Sequence, residues 1–253
     1  MSSKDIAWEK IFADYNISNH DFSKEPFPIS AVEIKKSCKD FVEKGITEPR
    51  ILCKQDTREG RPQIFKDNGL FILPVKNKHY VILRGEGYVD IPDITTEPKV
   101  HKTILDFNLE TTEIGNSEMQ HLDFAYASSI IRTFTEDPSL VLTIRGRKYT
   151  PEFSFKVGNY EITTKSVQTE VDAGYEGRNS VVLVEAKNSS TSNEIIRQLY
   201  YPYRQWQEHT QKKVTTLFFE RRRDMYYLWQ FGFEDMNDYN SIKLIRSDRY
   251  KLL

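Results

Sequence analysis

Hydrophobic and polar positions alternate along this chain in two periods, and they mark out helices and strands. Ser30 followed by Glu33 has the form of a capping box. Val32, Ile34, Cys38, Phe41 and Val42 recur behind it, so a helix is expected from Ser30 to a stop at Gly45. Residues 50–54 read as a short strand. Residues 70–75 and 79–84 read as two more, joined by the polar turn Lys76-Asn77-Lys78. Asn116 or Ser117 then caps a long helix in which Met119, Leu122, Tyr126, Ile130, Ile131 and Phe134 fall at helical spacing. Asp137-Pro138 ends it. Extended patterns follow at 140–144, 153–157, 160–164, 167–172 and 181–186. A second helix is expected over 193–209, then strands at 214–220 and 226–231.

From residue 117 onward the order is helix, several strands, helix, strand. That order predicts an α/β (α+β) core, a central mixed sheet flanked by helices. Pro92 and Pro98 break the segment before it. The chain therefore divides into a smaller N-terminal part, residues 1–112, and a core, residues 113–253.

Composition narrows the classes. Of 253 residues, 38% are hydrophobic and 29% charged, too apolar for disorder and too polar for a membrane protein. No apolar run reaches the length of a bilayer span. Residues 1–10 lack the apolar stretch of a secretory signal. Cys38 and Cys53 make neither a disulfide framework nor a zinc site, and a cytoplasmic location is expected. The formal net charge of −1 argues against unspecific coating of nucleic acid. Basic residues still cluster at Arg145, Arg147 and Lys148, at Arg221, Arg222 and Arg223, and at Lys243, Arg246, Arg249 and Lys251. Taken alone, such runs are more often solvated faces than phosphate contacts.

The candidate chemistry lies in Glu170-Val171-Asp172 and in Val181-Val182-Leu183-Val184-Glu185-Ala186-Lys187. Four aliphatic residues in a row mark a strand buried on both faces, and two charges at its end then sit beside the core. If Gly177-Arg178-Asn179-Ser180 is a hairpin loop, Glu176 faces Val181 and Asp172 falls opposite Glu185. Lys187 shares the face of Glu185. Opposite Cβ atoms lie about 5 Å apart, and like charges there repel. A hard divalent cation relieves that repulsion, and Mg²⁺ takes one or two carboxylates plus waters and phosphate. A metal beside a lysine suits phosphodiester hydrolysis.

Asp172 with Glu185-Ala186-Lys187, in this spacing and between two helices, resembles the PD-(D/E)xK nucleases. The resemblance implies that Asp172 and Glu185 bind Mg²⁺, that Lys187 acts on the attacking water, and that the preceding helix contributes a glutamate, here Glu118. Arg197-Gln198-Leu199-Tyr200-Tyr201-Pro202-Tyr203-Arg204 resembles the Gln- and Tyr-bearing helix that follows the sheet in many of these enzymes. Val171, not proline, precedes Asp172, whereas Pro151-Glu152 fits that part of the motif. Glu152 and Glu170 therefore stand as alternative ligands. Residues 50–54, 61–66 and 69–74 look like the leading segment of a group of type II restriction endonucleases. That likeness implies a sequence-specific, Mg²⁺-dependent endonuclease of double-stranded DNA, acting as a homodimer, with the N-terminal part in recognition.

The alternatives are a repair or junction-resolving nuclease on the same fold, a DNA-binding module that does not cut, and an interaction protein whose acidic hairpin is structural. In the last, Glu170 pairs with Lys187. Glu118 in a first helical turn is also favoured by the helix dipole alone. Tyr200, Tyr201, Tyr203 and Trp206 are expected to pack in the core, and His121, one turn after Glu118, could line the cleft.

Overall fold

The computed structural model describes residues 2–43, 45, 47–115, 117–188 and 190–253; Asn116, one of the two expected helix caps, lies outside them. The fold is mixed α+β, and its largest sheet among the described residues has seven strands.

The first part begins with α1 (Ser3–Asp14), β1 (Phe27–Ser30) and α2 (Ala31–Ser37). Ser30 and Glu33 close the expected capping box: the Glu33 N–H donates to Ser30 Oγ at 3.2 Å, and the Ser30 N–H donates to Glu33 Oε2 at 2.7 Å. The helix stops at Ser37 rather than Gly45, which leaves Val42 98% exposed. Next come α3 (Pro49–Leu52) and α4 (Gln63–Asp67). The strand expected over 50–54 is thus corrected to a helical turn with Pro49 in its first turn, where proline's missing N–H costs nothing.

The hairpin β2 (Leu70–Lys76) and β3 (His79–Arg84) forms as expected and pairs with β1 in the order β1-β3-β2. Its continuous apolar run serves two cores. Leu70 and Ile72 pack with Trp8, Phe12 and Phe65, while Phe71 and Leu73 pack with Phe155 and Tyr201.

Then follow β4 (Tyr88–Asp90), β5 (Lys99–His101), α5 (Glu118–Ala127) and α6 (Ile130–Thr135). The long helix is therefore two, broken at Ser129, whose φ of 66° is left-handed. Ser117 occupies the cap position, but its side chain makes no capping bond. The chain continues through β6 (Val141–Tyr149), β7 (Phe153–Val157), β8 (Tyr160–Thr164), β9 (Gln168–Glu176) and β10 (Ser180–Lys187). After β11 (Asn193–Ile195) come α7 (Arg197–Gln207), β12 (Lys213–Arg222), β13 (Met225–Phe233) and β14 (Ile242–Leu252). Residues 193–195, expected to open a helix, pair instead with β4.

The large sheet runs β5-β14-β13-β12-β10-β9-β6. β10 and β12 are parallel, linked by the crossover helix α7. Residues 88–90 and 99–101, which precede residue 112, pair with β11 and β14, which follow it. Val182, Val184 and Ala186 face Leu122, Ile131 and Phe134 of α5 and α6. Val181 and Leu183 face the other side, toward Tyr203 and Trp206 of α7. By alternation, Glu185 and Lys187 project to the α7 side. No helix of the described residues is long and apolar enough to cross a membrane.

Candidate active site

The hairpin that carries the site keeps the expected register from its turn, but the ladder stops short of the expected pairing of Asp172 with Glu185. Val181 faces Glu176, and the ladder runs to Val184 opposite Ala173. At its turn the Gly177 N–H donates to the Ser180 carbonyl at 2.8 Å. Gly177 leaves room for Asp137: a Cβ there would lie 2.3 Å from Asp137 Oδ2 and displace the oxygen that accepts from Ser180 Oγ.

The ladder ends where the chemistry begins. Ala173 packs on the α5 side, but Val171 packs on the α7 side, so β9 changes face at Asp172. The Ala186 N–H then donates to Asp172 Oδ2 at 2.8 Å. Arg145 Nη1 donates to the Asp172 carbonyl at 3.2 Å and fixes the same residue from β6.

Lys187 Nζ donates to Glu185 Oε1 at 2.5 Å and lies 3.8 Å from Glu194 Oε1. Glu118 approaches from the first turn of α5, where Glu118 Oε1 accepts the Asn188 N–H at 3.1 Å. Asp172, Glu185 and Lys187 thus gather at the end of β10, and Glu118 meets the next residue, Asn188, from the α5 side.

The charges act on one another in a poorly solvated place. Burial pushes Glu185 up to about 7, with Lys187 pulling the other way and Asp172 adding to the rise. Burial also raises Asp172, opposed by its Ala186 hydrogen bond and by Lys187. Desolvation alone would lower Lys187, but its carboxylate neighbours Glu185 and Glu194 outweigh it and raise the ammonium. Two carboxylates that resist ionisation offer hard oxygen ligands, and a divalent cation would remove the reason for the resistance. Among the described residues no three His, Cys, Asp or Glu side chains are grouped to hold a metal ion. Mg²⁺ does not need three, since it retains waters and takes one or two carboxylates with substrate phosphate.

The other sequence candidates fall elsewhere. Glu170 is exposed and pairs with Arg147 at 3.2 Å, not with Lys187. Glu152 is exposed and pairs with Lys165 at 2.9 Å. His121 is buried, and its Nδ1 accepts from Arg221 Nη1 at 2.7 Å. The basic runs are largely occupied: Arg222 pairs with Glu220 and Asp93, Arg246 with Glu136, and Lys243 with Glu234. Tyr200 and Tyr201 are fully buried, as their core role requires.

Two features were not legible in the sequence. One is Glu194, on a segment whose spacing resembled a helix start. The other is a cleft of about 540 Å³ between the N-terminal part and β9. Arg50, Lys54, Lys76, Lys78 and Arg197 line it against Glu48, Asp56 and Glu170. Lys54 lies 3.4 Å and Arg197 4.0 Å from Asp56, whereas Arg50, Lys76 and Lys78 have no carboxylate partner among the described residues. Glu170 and Gln198 line both this cleft and a water-sized cavity of about 10 Å³ against Glu185, so the cleft opens beside the site.

Residues 83–251 match the family model described as Domain of unknown function (DUF6997). The chain belongs to the DUF6997 family. That match takes in Glu118, Asp172, Glu185, Lys187 and Glu194, the whole of the candidate site. Residues 5–82, which supply one wall of the cleft, match a second model, Domain of unknown function (DUF6996). The two matches meet between β3 residues Ile82 and Leu83. No curated protein and no solved structure matches the chain.

Proposed function

We propose that this DUF6997 protein is a Mg²⁺-dependent endonuclease of double-stranded DNA with a PD-(D/E)xK core, working as a type II restriction enzyme in the cytoplasm. One observation carries the proposal. Two carboxylates and an ammonium, Asp172, Glu185 and Lys187, gather where the β9–β10 ladder parts, beside a cleft whose lining is net cationic.

Asp172 and Glu185 would hold the ion, with Glu118 reaching in from α5. Bound there, Mg²⁺ would supply positive charge at the scissile phosphate and acidity to the attacking water. The rest is the work of this chain's own side chains. Lys187 donates a hydrogen bond to the water that attacks phosphorus and offsets negative charge as it develops. The Ala186 N–H keeps Asp172 in one rotamer while its other oxygen stays available. Arg145 holds the backbone behind it. Arg50, Lys76 and Lys78 bind phosphates along the cleft and set the duplex in register. Base readers come from the polar side chains of the same walls, including Asn77, Gln168 and Gln198. A palindromic target calls for two copies related by a two-fold axis.

Incubation of the pure protein with a large duplex DNA, with Mg²⁺ or with EDTA, tests this. Discrete fragments sharing one end sequence, lost in EDTA, are expected. Structure-selective cutting of junctions or flaps would assign a repair nuclease. DNA bound but intact with Mg²⁺ would assign a binding module.

A further inference from the structure

We infer that Glu194 is a positioning residue for Lys187: when Glu185 turns to a divalent cation, the Lys187 ammonium passes to the Glu194 carboxylate and stays in the site. This rests on the nuclease role proposed for Asp172, Glu185 and Lys187.

Glu194 is 0% exposed, and neither of its carboxylate oxygens has a hydrogen-bond partner among the described residues. A buried carboxylate without hydrogen bonds is expensive, so its presence asks for a cause. Burial lifts its carboxyl to about 8, as expected of an acid short of partners. The Lys187 ammonium lies 3.8 Å from its Oε1. That is too long for a hydrogen bond and close enough to become one.

Glu194 is held in place by its neighbours. The Ile195 N–H donates to the Asp56 carbonyl at 2.7 Å. Asn193 Oδ1 accepts the Arg58 N–H at 2.7 Å, and Asn193 Nδ2 donates to Glu59 Oε2 at 2.9 Å. β11 also pairs along its length with β4. The backbone that carries the carboxylate is fixed, and the lysine, on its flexible four-carbon stem, is the part that moves.

Lys187 now uses Glu185 Oε1, at 2.5 Å. An ion on Glu185 would compete for that oxygen and repel the ammonium. Without a second anion the lysine would be driven out of the site. Glu194 supplies one, because the approaching ammonium favours the ionised form of its carboxyl, and a shift of about 1 Å brings Nζ to the distance of a charge-assisted hydrogen bond.

Two measurements test this together. The first is the structure of the wild-type protein with Mg²⁺, in which the Lys187–Glu194 distance is expected to shorten to about 2.8 Å. The second is Glu194→Gln in single-turnover cleavage. The rate is expected to fall at least about tenfold, one factor of 10 being 1.4 kcal/mol, with DNA affinity unchanged and the thermal midpoint unchanged or higher. Mg²⁺ bound with Lys187 still on Glu185 overturns the inference, as does a wild-type rate in Glu194→Gln. A joint fall of thermal midpoint and DNA affinity assigns Glu194 a structural role and also overturns it. Mg²⁺ bound, lysine shifted and DNA uncut by the wild type overturns the nuclease role alone, and no Mg²⁺ binding at all overturns both.

Discussion

Asp172 Oδ2 accepts the backbone N–H of Ala186 at 2.8 Å, just past the last paired positions of the β9–β10 ladder, Ala173 and Val184. A side chain thus replaces a main-chain carbonyl at the point where β9 changes face. The bond ties the candidate ligand to the strand that carries the other two groups.

The two roles of Asp172 separate by substitution. Asp172→Asn keeps an acceptor for Ala186 and is expected to fold normally, yet lose Mg²⁺-dependent cleavage. Asp172→Ala leaves a buried N–H unpaired and is expected to cost about 1–3 kcal/mol as well. Urea unfolding alongside a cleavage assay reads both. An Asp172→Ala protein as stable as wild type would show that the bond does not hold the strands.

Lys187 is the cation that Glu185 and Glu194 share. Lys187→Ala is expected to abolish cleavage while DNA binding survives, because phosphate contacts are spread over the cleft. The carboxylates left behind will protonate rather than stay charged in a buried place. The loss of thermal midpoint is therefore expected to be larger near about pH 8 than near about pH 5.5, where model carboxylates are already close to their titration range. Equal losses at both would contradict the shared pairing.

Burial lifts Glu185 to about 7 and Glu194 to about 8, both above the ordinary 4.5. Each binds its proton more tightly folded than unfolded. The stability this contributes is full below about 4.5 and is lost as pH rises through about 7 and about 8. Mg²⁺ binds the ionised form of Glu185, so its stabilising effect is expected to grow over the same range. Thermal melts across that range with and without Mg²⁺ check the sign, and Glu194→Gln is expected to flatten the upper part of the fall.

Lys76 and Lys78 stand at the cleft without carboxylate partners among the described residues. Replacing both by alanine is expected to weaken DNA binding at every sequence and to reduce the salt slope by about 1 for each phosphate no longer neutralised. The thermal midpoint and the cleavage rate at saturating DNA are expected to hold. An unchanged salt slope would move the DNA path elsewhere.

β10 was legible because its apolar run is uninterrupted, and the hairpin register near the turn followed from the Gly177–Ser180 loop. The change of face at Asp172 was not legible, since strict alternation cannot register a strand that twists between Val171 and Ala173. The break at Ser129 was hidden for a similar reason, because Leu122, Ile130 and Phe134 keep helical spacing across a left-handed residue. Residues 193–195 have helical neighbours in sequence and a strand, β4, as neighbour in space, and the spatial neighbour decided. Glu194 and the cleft depend on packing against residues 48–90, which no local pattern encodes.

The most direct test compares wild type with Glu185→Gln, which removes a ligand charge and little volume, on duplex DNA with Mg²⁺. The account predicts fragments with one common end sequence from the wild type, none from the variant or in EDTA, and equal DNA binding by both proteins. Cleavage by Glu185→Gln at the wild-type rate would contradict the central claim that Asp172, Glu185 and Lys187 form the site of the reaction.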